Sequence, residues 1–150
     1  MNRQAGFTYL GLMLFVLVLG ITTAGTATYW VTEQRRSAEE DLLFIGGEFR
    51  IALRRYAAAT PQGQSHYPPT LEALLRDPRF PDVRRHLRKL YLDPITHLAD
   101  WVVVRSPDNG IMAIHSASTA ETFKRANFPT EFIQFEDRER YDQWMFSINP

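Results

Sequence analysis

Four histidines, His66, His86, His97 and His115, are the residues of this chain best suited to proton transfer or metal ligation, and they are scattered. None stands at the spacing of a zinc site, and no cysteine is present to complete one. No nucleophile motif and no glycine-rich phosphate loop occurs. The adjacent acids Glu39-Glu40-Asp41 and Glu136-Asp137 could in principle act as general acid and base. Without a supporting motif they read as solvated charge. The remaining chemically distinctive stretch is Arg3-Gln4-Ala5-Gly6-Phe7-Thr8-Tyr9-Leu10, a short basic leader ending in glycine. From Gln4 to Thr32 there is no charged residue.

The element that would carry this site is the apolar segment itself. Phe7 to Val31 exceeds the roughly 20 residues that span a bilayer core. Lipid supplies no hydrogen-bond partners, so a single spanning segment must be helical. Tyr29 and Trp30 stand at its far end, where amphipathic rings favour the headgroup level. Leu10 to Ile21 is strongly apolar, whereas Thr22 to Thr28 consists of Thr, Ala and Gly. Small residues let helix backbones approach one another, so the second half suits packing on neighbouring helices.

Three readings of the segment compete. A secretory signal peptide would have Arg3 as its basic region, Leu10 to Leu19 as its apolar core and Gly25-Thr26-Ala27 around its cleavage site. A plain membrane anchor needs no cleavage. The third comes from resemblance: Gly6-Phe7-Thr8 ahead of the apolar stretch resembles the prepilin-type N-terminus of type IV pilins and of the pseudopilins of type II secretion systems. There the peptidase site precedes the apolar helix, which the mature protein keeps. The resemblance implies cleavage between Gly6 and Phe7 by a prepilin peptidase, and N-methylation of Phe7. It also implies a leader in the cytoplasm and a head in the periplasm. Charge counting does not orient the segment, since Arg3 lies on one side and Arg35 and Arg36 on the other.

The chain departs from the family pattern at one position. Most pilin-like proteins carry a glutamate at the fifth residue after the cleaved glycine, and Gly11 stands there. In the family that carboxylate is thought to pair with the N-terminal ammonium of an adjoining subunit. A subunit without it fits a minor or initiating component of the filament. Alternatively, Gly11 permits close helix packing while other contacts guide register.

Residues 33–150 suffice for one small domain with a modest core. The formal net charge is zero, which gives no basis for capture of nucleic acid. Glu33 to Ala59 places Leu42, Ile45, Phe49, Ala52, Leu53 and Tyr56 at three- and four-residue steps, the signature of an amphipathic helix. Arg35, Arg36, Glu39, Glu40, Glu48, Arg50 and Arg54 fall largely between them. No proline interrupts the run from the apolar segment, which predicts one helix from near Phe7 to Ala58, on the order of 80 Å long. Gly46-Gly47 costs roughly 2 kcal/mol of helix propensity. Because the apolar stripe keeps its phase across the pair, a neighbouring element is expected to pack on bare backbone there.

Thr60-Pro61-Gln62-Gly63-Gln64-Ser65 ends the helix. Thr70 is the expected N-cap of a short helix, and Pro81 to Leu90 reads as a second, basic one. Tyr67-Pro68-Pro69-Thr70-Leu71-Glu72-Ala73-Leu74-Leu75 resembles the segment after the long helix in major pseudopilins of type II secretion. Asp93-Pro94-Ile95-Thr96 is similar to the Asp-Pro motif by which that family enters its sheet. Trp101 to Arg105 and Ile111 to Ser116 flank Ser106-Pro107-Asp108-Asn109-Gly110, which predicts a hairpin with Gly110 at positive φ. In the tail, Ala120 to Arg125 reads as a helical turn, Thr130 to Phe135 as a third strand and Asp137 to Phe146 as a closing helix. Phe123, Phe128, Phe132, Phe135, Tyr141, Trp144 and Phe146 are expected to pack the sheet onto the helix.

The expected architecture is therefore α+β: a pilin-like fold whose long N-terminal helix, half transmembrane and half amphipathic, packs on a small antiparallel sheet. Its segments are leader 1–6, filament-core helix 7–32 and periplasmic head 33–150. The resemblance implies a non-enzymatic pseudopilus subunit in the inner membrane, assisting protein export across the outer membrane. Its partners would be other pseudopilins, the prepilin peptidase and the secretion platform. The alternative is a solitary anchored or secreted binding domain that forms no filament. No cofactor is expected. Related major pseudopilins bind calcium in a C-terminal loop, an acid-rich loop not recognisable in His115 to Glu121. Asp93 and Asp100 are the acids to weigh for such a site, Asp108 being better explained as a turn residue.

Overall fold

The computed structural model describes the backbone of residues 5–148 and the side chains of residues 9–19 and 32–148. One α-helix, α1, covers Ala5–Ala58. The chain divides into two compact units, Met1–Ser37 and Ala38–Pro150. In the first, the described side chains from Tyr9 to Leu19 are exposed. Among the described residues, no helix is long and apolar enough to cross a membrane.

The second unit is α+β. Its strands β1 (Val102–Arg105), β2 (Ile111–His115) and β3 (Phe146–Ser147) form one antiparallel sheet in the order β1-β2-β3. Val103 faces Ile114, which faces Phe146 on the other side. A bulge falls between Val104 and Arg105, where the hairpin begins to turn. Leu42, Phe49, Ala52, Leu53 and Tyr56 of α1 are buried in the core, and Ile45 packs against it. The core side of the helix is thus the stripe expected from its spacing. The tail closes the core with stacked rings: Phe135 lies parallel to Trp144 at 5.5 Å and to Phe132 at 5.5 Å, and Phe146 meets Phe135 edge-on at 5.1 Å.

At Gly46 the close approach expected of the glycine pair is present. A Cβ added there would land in the Phe146 ring, whereas one added at Gly47 would meet only Phe132 Cζ, at 3.4 Å. Helix propensity is given up at Gly46 so that β3 can lie against α1.

Several local expectations are corrected. The hairpin residue at positive φ is Asn109 (φ 61°), while Gly110 is needed because a Cβ there would collide with Tyr67. Ile111 N–H donates to the Pro68 carbonyl at 2.8 Å, tying that segment to β2. Residues 81–90 form no helix. The N–H groups of His86 and Leu87 both donate to the Leu74 carbonyl, and that of Asp77 to Arg84, so backbone pairing crosses between loops. The preceding helix shrinks to a 3-10 turn at Glu72–Leu74, with Leu71 rather than Thr70 in the cap position. Thr130–Phe135 is 3-10 rather than strand, because its buried residues, Phe132 and Phe135, are three apart and cannot alternate. The strand is instead Phe146–Ser147, preceded by a 3-10 turn at Tyr141–Gln143 where a helix was expected. Ala120 to Arg125 forms no helical turn. Glu121 bridges Arg140, and Thr122 N–H donates to the Glu139 carbonyl. Phe123 is 47% exposed and stands outside the aromatic core.

Candidate functional site

Met1–Gln4 of the expected leader lie outside the described residues, and at Gly6 and Phe7 only the helical backbone is described. Gly11 is exposed, and a Cβ added to it would meet nothing within 4 Å.

Within the head, the polar chemistry lies in three buried clusters. The first joins the end of α1 to the loop after it. Asp77, whose side chain is fully buried, accepts from Arg79 Nη2 at 2.6 Å and Nε at 2.8 Å, and from His86 Nε2 at 2.9 Å. Arg79 then donates to the Tyr56 carbonyl and to Thr60 Oγ1, and its guanidinium lies 3.5 Å from the centre of the Tyr56 ring. Burial works to raise the Asp77 pKa. The hydrogen bonds from Arg79 and His86 outweigh it and hold the carboxyl well below the usual carboxylate range. Its hydrogen bond to Asp77 raises the Arg79 pKa. Burial raises the Tyr56 hydroxyl, with the Arg79 charge pulling the other way. An Asp–His pair at this distance could orient a general base, but among the described residues no hydrogen bond links the imidazole to a serine or threonine hydroxyl. Thr60 Oγ1 accepts from Arg79 and donates to the Tyr56 carbonyl. The cluster caps the carboxyl end of α1, where orphan carbonyls favour a cation.

The second cluster corrects the reading of Glu39 as solvated charge. Glu39 is only 3% exposed. Its carboxylate accepts from Phe123 N–H, from Lys124 N–H and from the Tyr141 hydroxyl at 2.9 Å. Arg50, placed among the polar positions, is buried too. It donates to the Glu131 carboxylate and carbonyl, both at 2.6 Å, and lies over the Phe132 ring. Both residues fix the tail to α1.

The third cluster holds the acids weighed for calcium. Asp93 is fully buried, with Oδ1 accepting Ile95 N–H at 2.8 Å and Oδ2 accepting Ser116 Oγ–H at 2.5 Å. Asp100 accepts from Thr96 Oγ1 at 2.6 Å. Asp93 thus ties its own turn to Ser116 at the end of β2, and Asp100 is bonded to Thr96 within the same loop. Among the described residues, no group of three or more His, Asp or Glu is placed to hold a metal ion. Asp108 stands in the β1–β2 turn beside Asn109.

Sequence spacing alone could not have assembled the Asp77–Arg79–His86 cluster. Its members span a loop, and the nearest signal is Asp77-Pro78-Arg79, where an Asp ahead of a turn accepts Arg79 N–H.

No family model, curated protein or solved structure matches this chain.

Proposed function

We propose that this chain is a structural subunit, of the minor or initiating kind, of a type II secretion pseudopilus or a related type IV pilus-like filament. Its N-terminal helix would pass through the inner membrane and pack with other pseudopilins, and its head would lie in the periplasm. It catalyses nothing and is itself the substrate of a prepilin peptidase and of N-methylation.

The observation that carries this reading is in the sequence. Gly6-Phe7-Thr8 stands directly ahead of a stretch that is free of charge as far as Thr32. One structural feature is in keeping with it: among the described residues, the core of the second unit is built on its own segment of α1, Leu42 to Tyr56.

Intact mass of the membrane-purified protein tests the proposal. The expected product begins at N-methylated Phe7 and retains the whole apolar helix. A chain beginning near Thr28 would establish a signal peptide and overturn the filament reading. Gly6→Ala should still be cut, since a small side chain is retained, while Gly6→Leu should leave the precursor intact.

A further inference from the structure

At the carboxyl end of α1 the head carries a hollow of about 340 Å³. Arg55, Ala58 and Ala59 line it from the helix end, and Arg84, Arg85 and His86 from the loop that lies against it. Three guanidinium groups thus surround one space whose lining includes no acid. Arg55, Arg84 and Arg85 are exposed, and among the described residues none of them forms an ion pair. His86 is turned inward, its Nε2 2.9 Å from Asp77 Oδ2 and its ring edge-on to Tyr56. The loop is fixed by backbone pairing: the Arg84 carbonyl accepts Asp77 N–H at 2.9 Å, and the Leu74 carbonyl accepts from His86 and Leu87. The Arg84 guanidinium lies 4.5 Å from the centre of the Phe80 ring, a contact that steadies its direction.

Cations at the carboxyl end of a helix ordinarily answer its orphan carbonyls. Here that role is filled by other groups. The Tyr56 carbonyl accepts from Arg79 and from Thr60 Oγ1, the Arg55 carbonyl from Ala59 N–H, and the Ala57 carbonyl from Thr60 N–H. Three like charges around one hollow repel one another, and an anion between them reverses the sign of that interaction. A carboxylate answers a single guanidinium fork, and a phosphodiester brings a single charge. A phosphate monoester brings about two charges and three strong acceptor oxygens, enough for all three forks. We propose that the hollow binds a phosphate monoester group, held by Arg55, Arg84 and Arg85. Alanine supplies the only apolar lining, so recognition rests on the phosphate rather than on a hydrocarbon part. The same group occurs in soluble phosphate esters and in the headgroup of a phosphatidic acid. The inference is independent of the filament reading.

The test uses the full chain in uncharged detergent micelles, with its arginine side chains nitrogen-15 labelled for NMR. Methyl phosphate is titrated first. The Nε–H signals of Arg55, Arg84 and Arg85 should shift saturably, and that of Arg138, which lies outside the hollow, should not. Dimethyl phosphate, a diester with one charge, should bind roughly tenfold more weakly, the size of one lost charge-assisted hydrogen bond. Arg84→Gln and Arg85→Gln should each weaken methyl phosphate binding by a similar factor. Both side chains are exposed, so the unfolding midpoint should stay where it is. Arg138→Gln should bind at full strength. Dihexanoyl phosphatidic acid added to the same micelles separates the two sources: affinity tenfold higher or more than that of methyl phosphate assigns the site to a lipid headgroup, and any smaller gain to a soluble ester. Absence of saturable shifts with both monoesters overturns the proposal. So does full-strength binding by dimethyl phosphate, or by methyl phosphate after Arg84→Gln or Arg85→Gln.

Discussion

Two stretches of α1 are apolar for opposite reasons. From Tyr9 to Leu19 the described side chains are exposed, with Leu10 at 66% and Leu14 and Phe15 at 61%. From Leu42 to Tyr56 most apolar residues form one stripe covered by the chain's own sheet and tail, while Phe44, at 64%, and Ile51, at 39%, stay exposed. A helix that folds against its own domain needs only a stripe, and the rest of its surface can be charged. A helix apolar on every side needs a partner beyond the chain, either lipid or other helices.

The most severe way to break the folded half is Leu53→Asp. The side chain is fully buried, so an unpaired carboxylate there should cost several kcal/mol, most of a small domain's stability. Denaturant unfolding of the full chain measures it, and an unchanged midpoint would refute the assignment of Leu42 to Tyr56 as the spine of the head.

A finer probe is the glycine pair. Gly46→Ala forces a methyl into Phe146, at a cost of ~1–3 kcal/mol that should exceed the gain of ~1 kcal/mol in helix propensity. Gly47→Ala meets only an ordinary contact and should be neutral or stabilising by up to ~1 kcal/mol. Opposite signs at adjacent positions are the expected result, read from the same unfolding curves. Two equal losses would mean that β3 does not sit where Gly46 places it.

The Asp77 cluster adds a dependence on pH. Its carboxyl is held below the ordinary value in the folded state, so the unfolded chain takes up the proton first as pH falls. The stability from this group should be fully present above about pH 4, the unfolded value, and should decline as the pH drops further. Asp77→Asn should lower stability at neutral pH and flatten the acid side of the stability curve. An acid limb as steep as the parent's would show that other carboxylates govern it.

The smallest effect on folding belongs to Gly11. With open space around it, Gly11→Ala should leave the unfolding of the head unchanged. Any consequence should appear instead in crosslinking between copies in membranes. If Gly11 marks a minor subunit, Gly11→Glu should increase association by offering the missing carboxylate; if it serves close packing, Gly11→Ala alone should already impair it. A loss of head stability on Gly11→Ala would erase the distinction between the two stretches.

Reading the sequence reached the α+β class, the core stripe of α1 and the β1–β2 hairpin, because each rests on a short-range period or a turn dipeptide. It reached the packing at Gly46 because an unbroken stripe made a bend implausible there. It failed on residues 70–90 and 120–146, where backbone groups pair between distant loops and local propensity loses. Thr130–Phe135 is instructive: it read as a strand, yet the three-residue spacing of Phe132 and Phe135 was the better signal. Of the polar clusters, only the Asp93 turn and the Asp77-Pro78-Arg79 turn left a local trace in the sequence. Glu39 and Arg50 stand beside the apolar stripe, where nothing local distinguishes a buried charge from a solvated one. Their partners lie more than eighty residues away.

The stacked pair of Phe135 and Trp144 also gives the head an optical identity. The Trp144 indole is fully buried, its rings lie 2° from parallel with Phe135, and its N–H meets no acceptor among the described residues. Trp101, by contrast, donates its N–H to the Tyr91 carbonyl. An indole shielded from water and from hydrogen bonding emits towards the blue. With Trp30 and Trp101 replaced by Phe, the colour of Trp144 fluorescence therefore reports whether the tail is seated on α1, without any attached dye.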